Sequence, residues 1–314
     1  MEESILLNLV LKEIEKIKEK IKNKKILLQL PEGLKYSALK IIDALRDIGC
    51  EVIFSGEPCY GACDIRDYEA NLLGCDIILH IGHKKFYKKI ETKVPVIYIP
   101  IDLKIEYDKN ELRNIKEKRV GIISTVQHIK MIKNVAKDLE KIGKKVVIGG
   151  DILGCNIEKA KKINEDIDCF LFVGSGKFHA ISLLKLKKPV YILDLERNKV
   201  YRLEDDLKFE RKLILKFEKF EKANTIGILL SSKPGQFYRN YKFLNEIKEG
   251  IEKQGKKVYI IIFDRITQEN LEGLKIDFFI NTACPRICED YFKRPIINID
   301  EFLFLSSREK YKSV

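Results

Sequence analysis

The chain has no apolar run approaching the roughly 20 residues that span a bilayer. It begins Met1-Glu2-Glu3-Ser4, acidic where a secretory leader is basic. These two absences set the expectation of a cytoplasmic protein with no membrane partner. Also missing is the aromatic-studded basic strand that marks single-stranded RNA binding on a sheet. The formal net charge of +12, from 59 Lys+Arg against 47 Asp+Glu, therefore reads first as a solvated surface. Lysines are interleaved with glutamates along nearly every helical stretch. No direct nucleic-acid partner is required, although such a surface also suits an acidic macromolecule. Disorder is excluded, because hydrophobic residues (45%) outweigh charged ones (34%). What the chain does have is eight cysteines. In a reducing compartment, loop cysteines are read as metal ligands or catalytic thiols before disulfides.

Length alone gives a prior of two domains, but three segments repeat one order of signals. Each opens with an apolar strand: Ile26-Leu27-Leu28, Val120-Gly121-Ile122-Ile123 and Ile226-Gly227-Ile228-Leu229-Leu230. An amphipathic helix follows, with Leu34, Ala38, Ile41, Ile42 and Leu45 on one face in the first repeat. Each helix stops at a glycine (Gly49, Gly143, Gly255), suited to a left-handed cap. Second strands are predicted at 52–54, 146–148 and 258–263. Third strands start after Asp76, Asp168 and Asp277, and fourth strands after Pro95, Pro189 and Pro295. Gly49 and Gly143 are 94 residues apart, as are Pro95 and Pro189; Pro189 and Pro295 are 106 apart, as are Val120 and Ile226.

This spacing predicts an α/β protein of three homologous domains, each a small, mostly parallel sheet flanked by helices. They are expected to stand in pseudo-threefold relation around a central cluster. The boundaries are 1–106, 107–204 and 205–314, supplying Cys59, Cys155 and Cys284 respectively. The first domain adds an N-terminal helix with a stripe of Leu6, Val10, Ile14, Ile17 and Ile21, which packs on its own domain or on a second subunit. Charged connectors span 104–118 and 200–222, the second expected to be helical.

Ligands in α/β folds lie beyond the carboxyl ends of parallel strands. Cys59 and Cys155 occupy corresponding loops after the second strand, Gly56-Glu57-Pro58-Cys59-Tyr60-Gly61-Ala62-Cys63-Asp64 and Gly149-Gly150-Asp151-Ile152-Leu153-Gly154-Cys155-Asn156. Cys284 follows a third strand, in Asn281-Thr282-Ala283-Cys284-Pro285-Arg286. Cys50, Cys75 and Cys169 sit in or beside strands and read as small buried hydrophobes. Cys63 and Cys288 form CxxxC spacings with Cys59 and Cys284, and neither continues as the CxxxCxxC run of ordinary radical enzymes. A rival assignment makes each pair half of a zinc or 2Fe–2S site, but it leaves Cys155 unexplained. Three thiolates are one short of a closed site, so the expectation is one 4Fe–4S cluster with an iron open to a small molecule.

Other loops at strand ends carry polar groups. Gly174-Ser175-Gly176-Lys177-Phe178-His179 lacks Walker A spacing, yet Ser175 and Gly176 can offer amides to a carboxylate or ribose. His80-Ile81-Gly82-His83 occupies the matching place in the first repeat, and Ser231-Ser232-Lys233-Pro234-Gly235-Gln236 follows the first strand of the third. His83, His179, Gln236 and Arg286 are the polar side chains expected near the cluster, with Gly235 allowing close approach. His128 reads as structural, and Glu32 as favouring a helix N-terminus.

Leu30-Pro31-Glu32-Gly33-Leu34, Tyr60-Gly61-Ala62-Cys63-Asp64, His80-Ile81-Gly82-His83, Leu153-Gly154-Cys155-Asn156, Val173-Gly174-Ser175-Gly176-Lys177-Phe178-His179 and Thr282-Ala283-Cys284-Pro285-Arg286 together carry a resemblance. Across nearly its whole length the chain resembles the archaeal diphthamide biosynthesis enzymes, the 2-(3-amino-3-carboxypropyl)histidine synthases. The resemblance implies a homodimer whose Cys59, Cys155 and Cys284 bind a 4Fe–4S cluster, with S-adenosylmethionine as co-substrate at the open iron. It further implies an electron donor of unspecified identity and, as protein substrate, translation elongation factor 2. In such enzymes a 3-amino-3-carboxypropyl radical adds to a histidine of that factor and methylthioadenosine is released. The cluster must sit toward the reducing end of a range of roughly −700 to +450 mV. Two competitors stand beside this reading. Quinolinate synthase resembles the same three-repeat plan but uses its open iron as a Lewis acid. A non-catalytic basic protein of the translation machinery, with structural zinc, is the other.

Overall fold

The apolar runs at 26–28, 120–123 and 226–230 each become a central strand of a sheet in a computed structural model that describes residues 3–203, 206–238 and 240–309. The chain divides into two units, residues 1–103 with 233–235 and residues 104–232 with 236–314. In the first unit, β1 (Lys25–Gln29), β2 (Glu51–Phe54), β3 (Ile77–Ile81) and β4 (Val96–Ile99) form a parallel sheet ordered β2-β1-β3-β4. The second unit holds two more. One is β6-β5-β7-β8-β9, from β5 (Arg119–Ser124), β6 (Lys145–Asp151), β7 (Cys169–Gly174), β8 (Val190–Asp194) and β9 (Lys199–Arg202). The other is β11-β10-β12-β13, from β10 (Thr225–Ser231), β11 (Lys257–Phe263), β12 (Phe278–Asn281) and β13 (Ile296–Asn298). All three follow one plan: the first strand lies between the second and third, and the fourth joins beside the third. All pairings are parallel except β8 with β9.

The aspartate that precedes each third strand has a physical reason. Asp76 Oδ2 accepts the backbone N–H of Lys25 at 2.8 Å, Asp168 Oδ2 that of Arg119 at 2.9 Å, and Asp277 Oδ2 that of Thr225 at 2.9 Å. Each clips the start of the first strand to that of the third, and so fixes register at the end opposite the functional loops. The helices Ala38–Asp47, Ile132–Lys141 and Tyr241–Glu252 reverse into second strands through glycines with φ of +86°, +84° and +82°. That left-handed region is open to glycine at little cost.

Both faces of every sheet are covered, as the continuous apolar strands require. On the first sheet, Leu28 and Leu79 face the helix Ala38–Asp47 and the N-terminal helix Glu3–Ile21, while Leu27 and Ile78 face Ile65 and Ala70. The N-terminal stripe thus packs on its own unit, with Val10, Ile14 and Ile21 buried. Each fully buried side chain of this kind contributes roughly 1.5–3 kcal/mol, so the stripe anchors the helix. Leu34 joins that core from a 3₁₀ turn, Glu32–Ser37, and not from the following helix.

One local expectation is corrected. The connector expected to be helical from Val200 begins as strand β9, antiparallel to β8, with Val200 buried and Lys199 and Arg202 exposed. Asp194 Oδ1 accepts the amides of Glu196 and Arg197, and Asn198 takes a left-handed φ of +51°, so the chain turns back on β8 before the helix Asp206–Lys222 starts. The boundary expected at 204/205 lies outside the described residues. Among the described residues, no helix is long and apolar enough to cross a membrane.

Candidate metal centre

In the first unit, Cys59 lies in the loop after β2 and His80 in β3, with His83 just beyond it. Cys59 is 2% exposed and His80 fully buried. One ring nitrogen of each histidine and the Cys59 sulfur all lie within 4.8 Å of one another. Burial pushes the Cys59 thiol up to about 12, against the lowering effect of a backbone hydrogen bond from Gly61. A thiolate here therefore needs a compensating cation, which a bound metal supplies. Burial also lowers His80 to about 3, with His83 adding to the effect, and lowers His83 to about 4. Both imidazoles are neutral near pH 7. They meet through His80 Nε2 and His83 Nδ1 at 3.0 Å, and His80 Nδ1 meets Gln29 Oε1 at 3.3 Å.

The segment Lys233–Gly235 belongs to this same unit. Lys233 and Arg66 both pair with the buried carboxylate of Asp64, in the loop that carries Cys59. The Gly235 N–H donates to the Cys63 carbonyl at 2.8 Å. A Cβ at Gly235 would stand 2.5 Å from Cys63 Cα, so only glycine fits. These contacts hold the cysteine loop at Asp64 and Cys63, and Gln29 Nε2 adds a bond to the Asp64 carbonyl.

In the second unit, exposed Cys155 sits in a turn closed by backbone bonds between Leu153 and Asn156. His179 Nδ1 accepts the Gly154 N–H at 2.9 Å, and the Phe178 ring packs so close that a Cβ at Gly154 would come within 2.6 Å of it. Ser175 and Gly176 form the bend between β7 and the short helix that carries His179, with Gly176 at φ +75° and open space around it. Cys284 starts the turn Pro285–Glu289. Its carbonyl accepts from Asn281 Nδ2 at 2.9 Å, which also donates to Asn298 Oδ1. Arg286 pairs with Asp290 at 3.0 Å, and Gln236 follows the Lys233–Gly235 segment. Cys288 accepts weakly from Asn281 at 3.7 Å, and burial raises its thiol pKa. Cys50, Cys75 and Cys169 are buried among apolar side chains, and His128 is buried in the turn after β5. Glu32 opens the turn Glu32–Ser37 and pairs with Lys35.

Of the residues of this centre, sequence reasoning did not name Gln29, and it quoted His80, Asp64 and Lys233 only within loops, without a role for any of them. Gln29 had one signal, a polar residue closing an otherwise apolar strand. Lys233 had none, since it is one of many lysines.

The sequence profile of the diphthamide synthesis proteins matches residues 30–313. The chain belongs to that family. Among diphthamide synthesis proteins, it is 33% identical over 319 residues to the 2-(3-amino-3-carboxypropyl)histidine synthase of Pyrococcus horikoshii, covering 96% of this chain and 91% of that one. It is 32% identical over 330 residues to the enzyme of the same name from Methanocaldococcus jannaschii, covering 96% and 90%. The crystal structure of Dph2 from P. horikoshii with a 4Fe-4S cluster superposes with a TM-score of 0.81 at 29% identity, over 95% of this chain and 89% of that one. The donors of this diphthamide synthesis protein fit such a group. Cys59, Cys155 and Cys284 lie in loops beyond strand ends, and thiolates are the ligands that iron–sulfur clusters take.

Proposed function

We propose that the chain is a 2-(3-amino-3-carboxypropyl)histidine synthase that carries out the first step of diphthamide biosynthesis, with one 4Fe–4S cluster on Cys59, Cys155 and Cys284. The observation that carries this reading is a cysteine-bearing loop beyond a strand end in each of three sheets of one plan, in a chain whose relative was crystallised with a 4Fe-4S cluster. When bound and reduced, the cluster supplies the electron that splits S-adenosylmethionine into methylthioadenosine and a 3-amino-3-carboxypropyl radical, which adds to a histidine of translation elongation factor 2. The three cysteines leave one of four irons without a protein ligand.

The chain's own residues do the rest. The buried Cys59 favours a cationic partner over a free thiolate, for the desolvation reason given above. Burial of Cys59 and His80 keeps water from their surroundings, which protects a reactive carbon radical. Ser175 and Gly176 offer a hydroxyl and amides to the carboxylate or ribose of S-adenosylmethionine. Arg286 supplies a guanidinium for a carboxylate, and His83, His179, Gly235 and Gln236 are the other positions assigned to S-adenosylmethionine. The residues 1–106, 107–204 and 205–314 act as three homologous domains. The protein works in the cytoplasm as a homodimer with an external electron donor, and the basic surface aids docking of elongation factor 2. Family membership favours this chemistry over a quinolinate-synthase-like Lewis acid or a structural zinc protein.

The test is an anaerobic reaction of reconstituted protein with elongation factor 2, S-adenosylmethionine and dithionite, read by mass spectrometry. One histidine of the factor gains an aminocarboxypropyl group if the reading holds. An unmodified factor after incubation with fully cluster-loaded protein would refute it.

A further inference from the structure

The amide of Gln29, 1% exposed, has its orientation fixed from two sides. Its Nε2 donates to the Asp64 carbonyl at 2.6 Å, and its Oε1 accepts the Arg66 N–H at 3.4 Å. The flipped amide would set oxygen against oxygen and N–H against N–H. Oxygen therefore faces His80 Nδ1 at 3.3 Å, and that nitrogen must carry the proton. A neutral imidazole has one N–H, so His80 Nε2 is bare. His83 Nδ1, 3.0 Å from it, must then be the donor, and His83 Nε2 is bare as well.

We infer that Gln29 and His80 are positioning residues that lock His83 in the Nδ1-protonated tautomer, so that the imidazole pair beside Cys59 has no N–H left to donate to the Cys59 sulfur or to a cluster held there. The consequence is electrochemical. An N–H aimed at a cluster sulfur stabilises the extra negative charge of the reduced state and raises the potential. Here both N–H groups are spent within the chain Asp64–Gln29–His80–His83. The pair fills space next to Cys59 without making the cluster easier to reduce, and so keeps it a strong reductant, as cleavage of a sulfonium requires. A proton-relay role is disfavoured by the same geometry, because the chain ends on a carboxamide N–H that already donates to a backbone carbonyl.

The tautomer stands on the protein alone, while its redox effect rests on the cluster proposed above. The chain has four histidines, so single-histidine variants assign the nitrogen spectrum. In cluster-free wild-type protein labelled with 15N-histidine, long-range proton–nitrogen correlation should give His80 and His83 each a protonated Nδ1 and a bare Nε2. A protonated Nε2 on either ring overturns the lock. In Gln29→Leu, His80 Nδ1 loses its acceptor, so both protons move to Nε2 and His83 gains an outward N–H. The cluster-loaded variant should then show a higher midpoint potential than wild type in an EPR-monitored redox titration. An unchanged or lower potential, with the tautomers reversed, overturns the redox role. Wild-type protein that takes up no cluster overturns instead the reading on which that role rests.

Discussion

Alanine at Gly235 should disturb the Cys59 loop through a contact with no flexible side chain to yield. The added Cβ would stand 2.5 Å from Cys63 Cα, 2.6 Å from its Cβ and 2.7 Å from its carbonyl oxygen, where ordinary contact begins at 3.4 Å. Two backbones must therefore part by about 0.9 Å. Separation of that size breaks the 2.8 Å bond from Gly235 N–H to the Cys63 carbonyl. Overpacking costs about 1–3 kcal/mol and the lost hydrogen bond about 1 kcal/mol, so Gly235→Ala should lose about 2–4 kcal/mol. Gly235 is not among the positive-φ glycines, so backbone strain does not enter. Gly56→Ala, in the same cysteine loop with nothing within 4 Å of the new Cβ, is the matched control. Urea unfolding followed by circular dichroism measures both as shifts in midpoint. Gly235→Ala should unfold at lower urea and hold less iron after reconstitution, while Gly56→Ala tracks wild type. Equal midpoints and iron contents for all three proteins would refute the steric argument.

Removing one buried cation has a larger effect. Lys233→Met takes one cation from the buried Asp64 carboxylate and should cost about 3–5 kcal/mol; adding Asp64→Leu should restore part of this in a double-mutant cycle. The hydrogen bond from Thr225 lowers the Asp277 pKa. A depressed carboxylate contributes stability above its unfolded value near 4, and that stability is lost as pH falls through the folded value. Asp277→Asn should therefore flatten the acid limb of stability below about pH 4, and an unaltered limb in urea titrations across pH would count against the clip. Anaerobically purified protein should be brown. Cys155→Ala should lose most of the colour and iron, whereas Cys63→Ala and Cys288→Ala keep both; a Cys155→Ala protein with full iron content argues against the three-cysteine site.

Much of the fold could be read in advance because its rules are local. Continuous apolar strands, amphipathic helices and glycine stops each follow from the residues in one short window. Asp76, Asp168 and Asp277 were visible as a pattern, and the structure adds the cause, a side chain that bonds the first strand across the sheet. Strand β9 was missed because four residues are too few to set a period, and its pairing depends on the turn at Asn198. The cysteine loops were legible from their place after strands. The partners of Cys59 were less so. Gln29 and Lys233 act across 35 and 169 residues on the same loop residue, Asp64, and separation on that scale leaves no local mark.

The most direct measurement is the product of S-adenosylmethionine cleavage by the cluster-loaded protein under dithionite, resolved by chromatography. Methylthioadenosine is the expected product, formed only when the cluster is present. Release of 5′-deoxyadenosine instead, or of no nucleoside product from fully loaded protein, would contradict the proposed function at its centre.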